Sequence, residues 1–139
     1  MPSSHTITIH RPIAEVFRFL SAPEHLAAWD GAVCWARRSA GGPLGVGATF
    51  AQAMARDGRT EVAAGEVVAY EPPHKLGWRS DLGSVRTITR ITLQAVGMST
   101  RLTLRRQQLG DGAADHEDGA RLEAALGRLR EMLEGQPPC

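Results

Sequence analysis

The regular spacing of turn residues between positions 33 and 108 constrains the fold most strongly. Gly, Pro and Asp residues interrupt this region about every ten residues, and runs rich in β-branched residues lie between them. This pattern is typical of an antiparallel meander, in which neighbouring strands are joined by tight turns. Six strands fit the spacing, at residues 33–38, 47–56, 59–70, 75–81, 84–95 and 99–108.

A strand and two short helices precede the meander, and one long helix follows it. Residues 5–10 alternate apolar with polar, which predicts a half-buried strand. Apolar residues then recur at helical spacing from Pro12 to Leu20, and residues 23–29 predict a second short helix. The same helical spacing between Leu122 and Leu133 predicts a final helix over 117–134.

This order of elements predicts a single α+β domain over residues 1–139. A sheet of seven antiparallel strands has one apolar face that a single long helix can cover. We therefore expect a helix-grip arrangement, in which the seven-stranded antiparallel sheet curves around the long C-terminal helix. The two short helices follow the first strand.

Composition narrows the class of protein further. The 139 residues are 42% hydrophobic and 22% charged, which fits one folded domain rather than a disordered chain. The net charge of +1 removes the general electrostatic argument for a nucleic-acid partner. No stretch has the length of a signal peptide core or a membrane span. We expect a cytoplasmic protein with no nucleic-acid partner and no integral membrane association.

The expected turns predict which side chains share a face of the sheet. They lie at residues 57–58, 71–74, 82–83 and 97–98. In that order they pair Phe50 with Gly65, Ala69 with Leu76, Ser80 with Val85, and Leu93 with Leu102. The four hairpins agree on one apolar face, here called the inner face, which carries Phe50, Gln52, Met54, Val67, Leu76, Trp78, Ile91, Leu93, Leu102 and Leu104.

The inner face also carries more polar groups than a dry core tolerates without partners. These are Gln52, Ser80, Thr87, Thr89, Arg106 and Gln108. They either hydrogen-bond to one another across strands or face a ligand. Arg106 has two interpretations of its own. Its guanidinium can anchor a carboxylate, enolate or phosphate of a ligand, or it pairs with an acidic residue at the start of the long helix, Asp115, Glu117 or Asp118.

The opposite side of the sheet, here called the outer face, is basic. It carries Arg79, Arg86, Arg90, Arg101 and Arg105, and the expected turns place Arg79 opposite Arg86 and Arg90 opposite Arg105. Such a stripe is either a solvated surface or a contact for an acidic partner or an anionic membrane. The chain has too few aromatic residues for base stacking on this face.

Signals for cofactor or metal chemistry are absent from the sequence. The five histidines show no metal-ligand spacing, and neither a dinucleotide-binding glycine motif nor a phosphate-binding loop occurs. Cys34 and Cys139 do not form a disulfide framework, and Cys34 is expected to be a small core residue rather than a nucleophile. We expect no cofactor and no metal.

Four segments of the chain resemble the START-like superfamily, the polyketide cyclase/dehydrase and lipid transport group with the helix-grip fold. They are residues 9–20 (IHRPIAEVFRFL), 22–29 (APEHLAAW), 45–47 (GVG) and 67–76 (VVAYEPPHKL). Members of this superfamily include lipid carriers, aromatic cyclases, plant ligand-binding allergens and chaperone activators. The resemblance implies a cavity between the long helix and the sheet, and it transfers no catalytic residue by motif.

We therefore expect binding of a small hydrophobic or aromatic molecule, with an acidic ligand as one option, in this internal cavity. The candidate cavity residues are Phe50, Gln52, Met54, Val67, Trp78, Thr87, Thr89, Ile91, Leu104, Arg106, Leu122, Leu126 and Leu129. One alternative is a cyclase or dehydratase that uses the same cavity, with Arg106, Gln52 and Thr89 orienting a reactive carbonyl. The other is a protein-interaction module of the chaperone-activator type.

Overall fold

The computed structural model describes residues 3–30, 33–39, 44–56, 58–82, 85–110 and 119–135. Its seven strands are β1 (Ser3–Ile9), β2 (Val33–Arg38), β3 (Thr49–Arg56), β4 (Arg59–Glu71), β5 (Lys75–Leu82), β6 (Val85–Val96) and β7 (Ser99–Gly110). Its helices are α1 (Ile13–Leu20), α2 (Leu26–Trp29) and α3 (Gly119–Glu134), and a single 3₁₀ turn (Pro23–His25) leads into α2.

The seven strands form one antiparallel sheet in the order β1-β7-β6-β5-β4-β3-β2. All consecutive strands from β2 to β7 are neighbours, and β1 joins the far edge beside β7. The helix α1 contacts β6 and β7, whereas α3 contacts β1 and α2. The predicted α+β fold, with one face of the sheet covered by helices, is therefore confirmed.

The short helix α1 begins at a proline and presents a continuous apolar stripe to the sheet. Pro12 occupies its N-cap position in an extended conformation. Val16, Phe17 and Leu20 are buried, and the Phe17 ring lies 5.5 Å from the Tyr70 ring of β4. These contacts close one end of the inner face with apolar side chains.

The long helix α3 is held by its leucines, as its spacing predicts. Leu122, Leu126, Leu129 and Leu133 are all buried. The C-terminal end of the helix is also bound to the segment between β1 and α1, because Arg11 Nε donates to the Leu133 carbonyl at 2.9 Å. These interactions place α3 along the inner face.

Two of the predicted hairpin registers are exact. Phe50 lies opposite Gly65 in the β3–β4 hairpin, and Leu93 lies opposite Leu102 in the β6–β7 hairpin. The expected pair of Ala69 with Leu76 is wrong. A bulge between Val67 and Ala69 turns Ala69 outward and pairs Tyr70 with Leu76. The bulge brings the large Tyr70 ring rather than a methyl group onto Phe17.

The predicted register between β5 and β6 is wrong by two residues. Leu82 rather than Ser80 lies opposite Val85, so Ser80 pairs with Thr87. A shift of two residues preserves the face on which each side chain lies. On the outer face, however, it pairs Asp81 with Arg86, and the predicted opposition of Arg79 to Arg86 does not occur.

The predicted core position of Cys34 is also wrong, because the side chain is exposed. The register of β2 against β3 shifts between Val33 and Trp35, so Cys34 is the extra residue of a bulge on an edge strand. Cys139 and the acidic residues Asp115, Glu117 and Asp118 lie outside the described residues.

Within the described ranges, the helices are all too short or too polar to cross a membrane.

Candidate functional site

The polar side chains of the inner face lie in two adjacent rows across the central strands. One row runs from Trp78 on β5 through Thr89 on β6 to Arg106 on β7. The next row runs from Ser80 through Thr87 to Gln108. Trp78, Thr89 and Arg106 are 6%, 1% and 8% exposed, so the first row is buried.

Gln52 reaches across an entire strand to find its partner. It lies on β3, yet its side-chain amide nitrogen donates to the hydroxyl of Ser80 on β5. The intervening strand β4 presents only Ala63 and Gly65 to the inner face at this level, which leaves room for the amide to pass. Gln52 and Ser80 are both buried, so their polar groups need protein partners in place of water, and this bond provides one for each.

Phe50 forms the apolar wall beside this bond because its opposite residue is a glycine. A Cβ atom placed on Gly65 would overlap three carbons of the Phe50 ring. The tip of the ring therefore lies against Gly65 of β4, and Phe50 is 4% exposed. A large aromatic surface is thus positioned next to the polar groups of Gln52 and Ser80.

Arg106 forms the most strongly charged contact of the inner face. Its Nε donates to the Thr89 hydroxyl at 3.0 Å, and its Nη2 donates to Oδ2 of Asp30 at 3.1 Å. The side chains of Asp30 and Arg106 are each 8% exposed, so the pair is buried. An acidic residue at the start of the long helix was one of two predicted partners for Arg106, the other being a ligand anion, and those helix-start residues lie outside the described ranges. The acidic partner that the structure describes is Asp30, at the end of α2.

The end of α2 is held both by the sheet and by the long helix. Asp30 attaches it to β7 through Arg106, and Arg128 of α3 donates from Nε to the Trp29 carbonyl at 3.2 Å. Trp29 itself is 1% exposed. Trp29 and Asp30, here called the α2 corner, therefore link the sheet to the long helix through Arg106 and Arg128.

A small cavity lies between this corner and the sheet. Its volume is about 20 Å³, which accommodates about one water molecule. It is lined by Leu20, Ser21, Pro23, Leu26, Leu44, Phe50, Val67, Leu76 and Trp78. Phe50, Val67 and Trp78 were predicted as cavity residues. The lining from α1 and the 23–26 turn was not, although the sequence pattern had assigned Leu20 and Leu26 to the two short helices.

The other predicted cavity residues lie around this centre in distinct environments. Ile91 and Leu104 are almost completely buried and lie opposite each other on β6 and β7, the two strands that α1 contacts. Leu122, Leu126 and Leu129 are buried on the sheet-facing side of α3. Met54 and Thr87 are half-buried. The structure thus places all of these side chains on or against the inner face.

A larger and more open depression, about 390 Å³ in volume, lies where β2 to β5 meet on the outer face. Its lining includes Ala51, Val62 and Ala64, and an ion-pair network borders it. In that network Arg79 bonds to Glu66 at 2.8 Å, and Asp81 approaches both Arg79 and Arg86. The carboxylates of Glu66 and Asp81 are therefore both paired with neighbouring arginines.

Across the residues that the structure describes, no group of three or more His, Cys, Asp or Glu side chains is arranged to hold a metal ion.

The arrangement of a seven-stranded antiparallel sheet, two short helices and a long C-terminal helix defines the helix-grip class of START-like proteins. A family model described as polyketide cyclase / dehydrase and lipid transport matches residues 3–134. The chain therefore belongs to that family. No curated protein sequence matches it significantly.

Solved structures share the whole fold at low sequence identity. Ginseng major latex-like protein 151 from Panax ginseng has a TM-score of 0.74 at 16% identity, covering 99% of this chain and 98% of its own. A START superfamily protein from Mycobacterium smegmatis has a TM-score of 0.72 at 13% identity, covering 96% and 94%. The di-domain ARO/CYC StfQ from the steffimycin biosynthetic pathway has a TM-score of 0.72 at 16% identity, covering 95% of this chain and 44% of its own.

Proposed function

We propose that this protein binds a small hydrophobic or aromatic molecule between α3 and the inner face of the sheet. The observation that carries the proposal is the group of buried polar side chains Gln52, Ser80, Thr89 and Arg106 within a mostly apolar face. Apolar walls with a few convergent polar groups are characteristic of small-molecule sites. A family description that includes lipid transport and polyketide cyclases is consistent with a hydrophobic ligand.

In this proposal the side chains divide into walls and orienting groups. The walls are Phe50, Met54, Val67, Trp78, Ile91 and Leu104 from the sheet and Leu122, Leu126 and Leu129 from α3. The orienting groups are Gln52, Thr87, Thr89 and Arg106, which offer hydrogen bonds to a carbonyl or hydroxyl of the ligand.

The Asp30 carboxylate determines which ligand charge this site favours. Because it lies 3.1 Å from Arg106, the pair as a whole has no net charge. A carboxylate ligand would have to compete with Asp30 for the guanidinium, whereas an uncharged ligand leaves the buried pair intact. We therefore propose an uncharged polar group on the ligand, and an acidic ligand becomes an alternative outcome of the test.

The proposal is tested first by native mass spectrometry of the purified protein, which detects a co-purified small molecule. Isothermal titration then compares two probes of nearly equal shape, 2-naphthamide and 2-naphthoate. We expect the amide to bind more tightly. In the Asp30→Asn variant, the naphthoate-to-naphthamide affinity ratio should rise by about 10- to 100-fold, as expected for a hydrogen bond to a charged group. Chemical change of a bound probe during incubation would instead indicate the enzyme.

Two tryptophans provide a matched control for the location of the site. Trp78 is 6% exposed on the inner face, whereas Trp35 is 37% exposed on the outer face, with Arg37 4.7 Å above its ring. Trp78→Phe should weaken binding of both probes, and Trp35→Phe should leave both affinities unchanged. Equal effects of the two substitutions, or binding of neither probe by the wild-type protein, would contradict the proposal.

A further inference from the structure

The outer face carries a group of arginines that the ligand site does not use. Arg90 and Arg105 lie directly opposite each other on β6 and β7, and Arg101 lies on the same face, opposite Gln94. All three are exposed. Within the described part of the chain, none of them forms an ion pair with a carboxylate. This set of three residues is called the basic stripe below.

The surroundings of the basic stripe leave its charges projecting into solvent. The neighbouring outer-face residues of β1 and β7 are short, and Thr6 and Thr103 bond to each other through their hydroxyls at 3.1 Å. The carboxylates of this face that form ion pairs, Glu66 and Asp81, bind Arg79 and Arg86 instead. Like charges placed directly opposite each other on a sheet are destabilising, so an anionic surface would offset their repulsion.

The hairpin that joins β6 to β7 adds exposed apolar groups at the end of the stripe. Val96 is 45% exposed and Met98 is 77% exposed. Gly97, with φ of 62°, makes the tight turn that projects Met98 from the hairpin tip. The register places Arg101 opposite Gln94, two residues from Val96 along the strand, so cationic and apolar groups adjoin.

We propose that the basic stripe and the β6–β7 hairpin tip form a peripheral docking surface for an anionic lipid membrane. Cations attract the negatively charged headgroups, and apolar side chains enter the boundary between headgroups and acyl chains. Peripheral membrane binding commonly requires these two contributions together. An acidic protein surface would match the charges but leaves Val96 and Met98 unexplained. Nucleic acid would match the charges, but the stripe has no aromatic residue for base stacking.

This surface is independent of the proposed ligand site because it lies on the other side of the sheet. It also suits a protein that carries an apolar molecule, since a membrane is where such a molecule can be taken up or released. The docking proposal can fail while ligand binding holds, and the converse is equally possible.

Co-sedimentation with lipid vesicles tests the proposal. The full chain is incubated with vesicles of phosphatidylcholine alone or of phosphatidylcholine mixed with phosphatidylglycerol, over a range of salt concentrations. We expect binding only to the mixed vesicles and weakening as salt rises. Each cation near an anionic membrane is associated with roughly a fivefold gain in partitioning, so Arg90→Gln with Arg105→Gln should weaken binding roughly 25-fold.

The matched control removes the same net charge from the helical side of the molecule. Arg18 of α1 and Arg130 of α3 are both exposed. The double variant Arg18→Gln with Arg130→Gln should therefore bind mixed vesicles nearly as tightly as the wild type. Equal weakening by the two double variants would show an effect of net charge alone and would overturn the proposal.

The apolar contribution has its own variant. Met98→Ser should weaken binding to mixed vesicles by roughly tenfold while leaving the salt dependence unchanged. If the substitution does not weaken binding, the proposed insertion of the hairpin tip is overturned. The proposal is also overturned if mixed vesicles are not bound, if soluble glycerol phosphate competes for the site, or if duplex DNA binds equally well.

Discussion

Removing the carboxylate of Asp30 should lower the free energy of unfolding by about 3–5 kcal/mol, because the buried Arg106 guanidinium then loses the counter-charge that Asp30 supplies. The two side chains are each 8% exposed, and Oδ2 lies 3.1 Å from Nη2. At this distance two unit charges attract by about 5 kcal/mol when the effective dielectric constant is about 20. Desolvation of each ion costs several kcal/mol, so the intact pair contributes little net stability and its disruption is costly.

Urea unfolding, followed by circular dichroism, measures this effect. The variants Asp30→Ala, Arg106→Met and the double variant form a thermodynamic cycle. Each single substitution removes one member of the buried pair and keeps the other charge, whereas the double substitution removes both charges. The double variant should therefore lose less stability than the sum of the single losses, by up to about 3 kcal/mol. Arg105→Met, on the same strand but exposed on the outer face, should stay within about 0.5 kcal/mol of the wild type.

Two results would refute this reasoning about the ion pair. One is an Asp30→Ala variant whose stability equals that of the wild type, which would mean that the guanidinium is not held by Asp30. The other is strict additivity in the cycle. If Asp30→Ala does not fold, Asp30→Asn replaces it, since the amide keeps the shape of the side chain and still removes the charge.

Three further changes test the packing of the sheet and α3. Leu126→Ala should cost about 2–5 kcal/mol of stability because Leu126 is fully buried, whereas Arg130→Ala on the exposed side of α3 should cost almost nothing. Equal losses of the two variants in urea unfolding would contradict the assigned helix face. Gly65→Ala should cost about 1–3 kcal/mol of stability because the new methyl group overlaps the Phe50 ring. Adding Phe50→Leu to this variant should recover part of the loss in thermal unfolding, and a double variant that recovers nothing would contradict this contact. Arg105→Glu should leave the melting temperature unchanged or raise it by relief of the opposed charges, and a loss of several kcal/mol would mean that the faces of the sheet are reversed.

The faces of the sheet could be predicted from the sequence because alternation and turn length both act locally. The turns at 57–58 and 97–98 contain positive-φ glycines, Gly58 and Gly97, and there the predicted register is exact. The β5–β6 register is off by two residues, yet Thr87 and Thr89 remain on the inner face because side chains alternate with a period of two.

The candidate site was predictable only in part because its partners depend on packing between distant segments. Asp30 is 76 positions from Arg106, and the Asp-Gly dipeptide at 30–31 indicates a turn rather than a buried ion pair. The same limit applies to the bulge between Val67 and Ala69, which brings Tyr70 onto Phe17, a residue of the distant helix α1. Local pattern assigned Gln52 and Thr89 to the inner face, but their bonds required the three-dimensional arrangement.

The central claim is that the ligand lies between α3 and the inner face, and methyl NMR tests it most directly. A sample with labelled Ile, Leu and Val methyl groups is titrated with 2-naphthamide, and intermolecular nuclear Overhauser effects are measured. The account predicts contacts from the probe to methyl groups of Ile91, Leu126 and Leu129, which are buried on the two sides of the proposed site. Contacts confined to the exposed methyl groups of Val62 or Val96 would place the probe elsewhere and contradict the account.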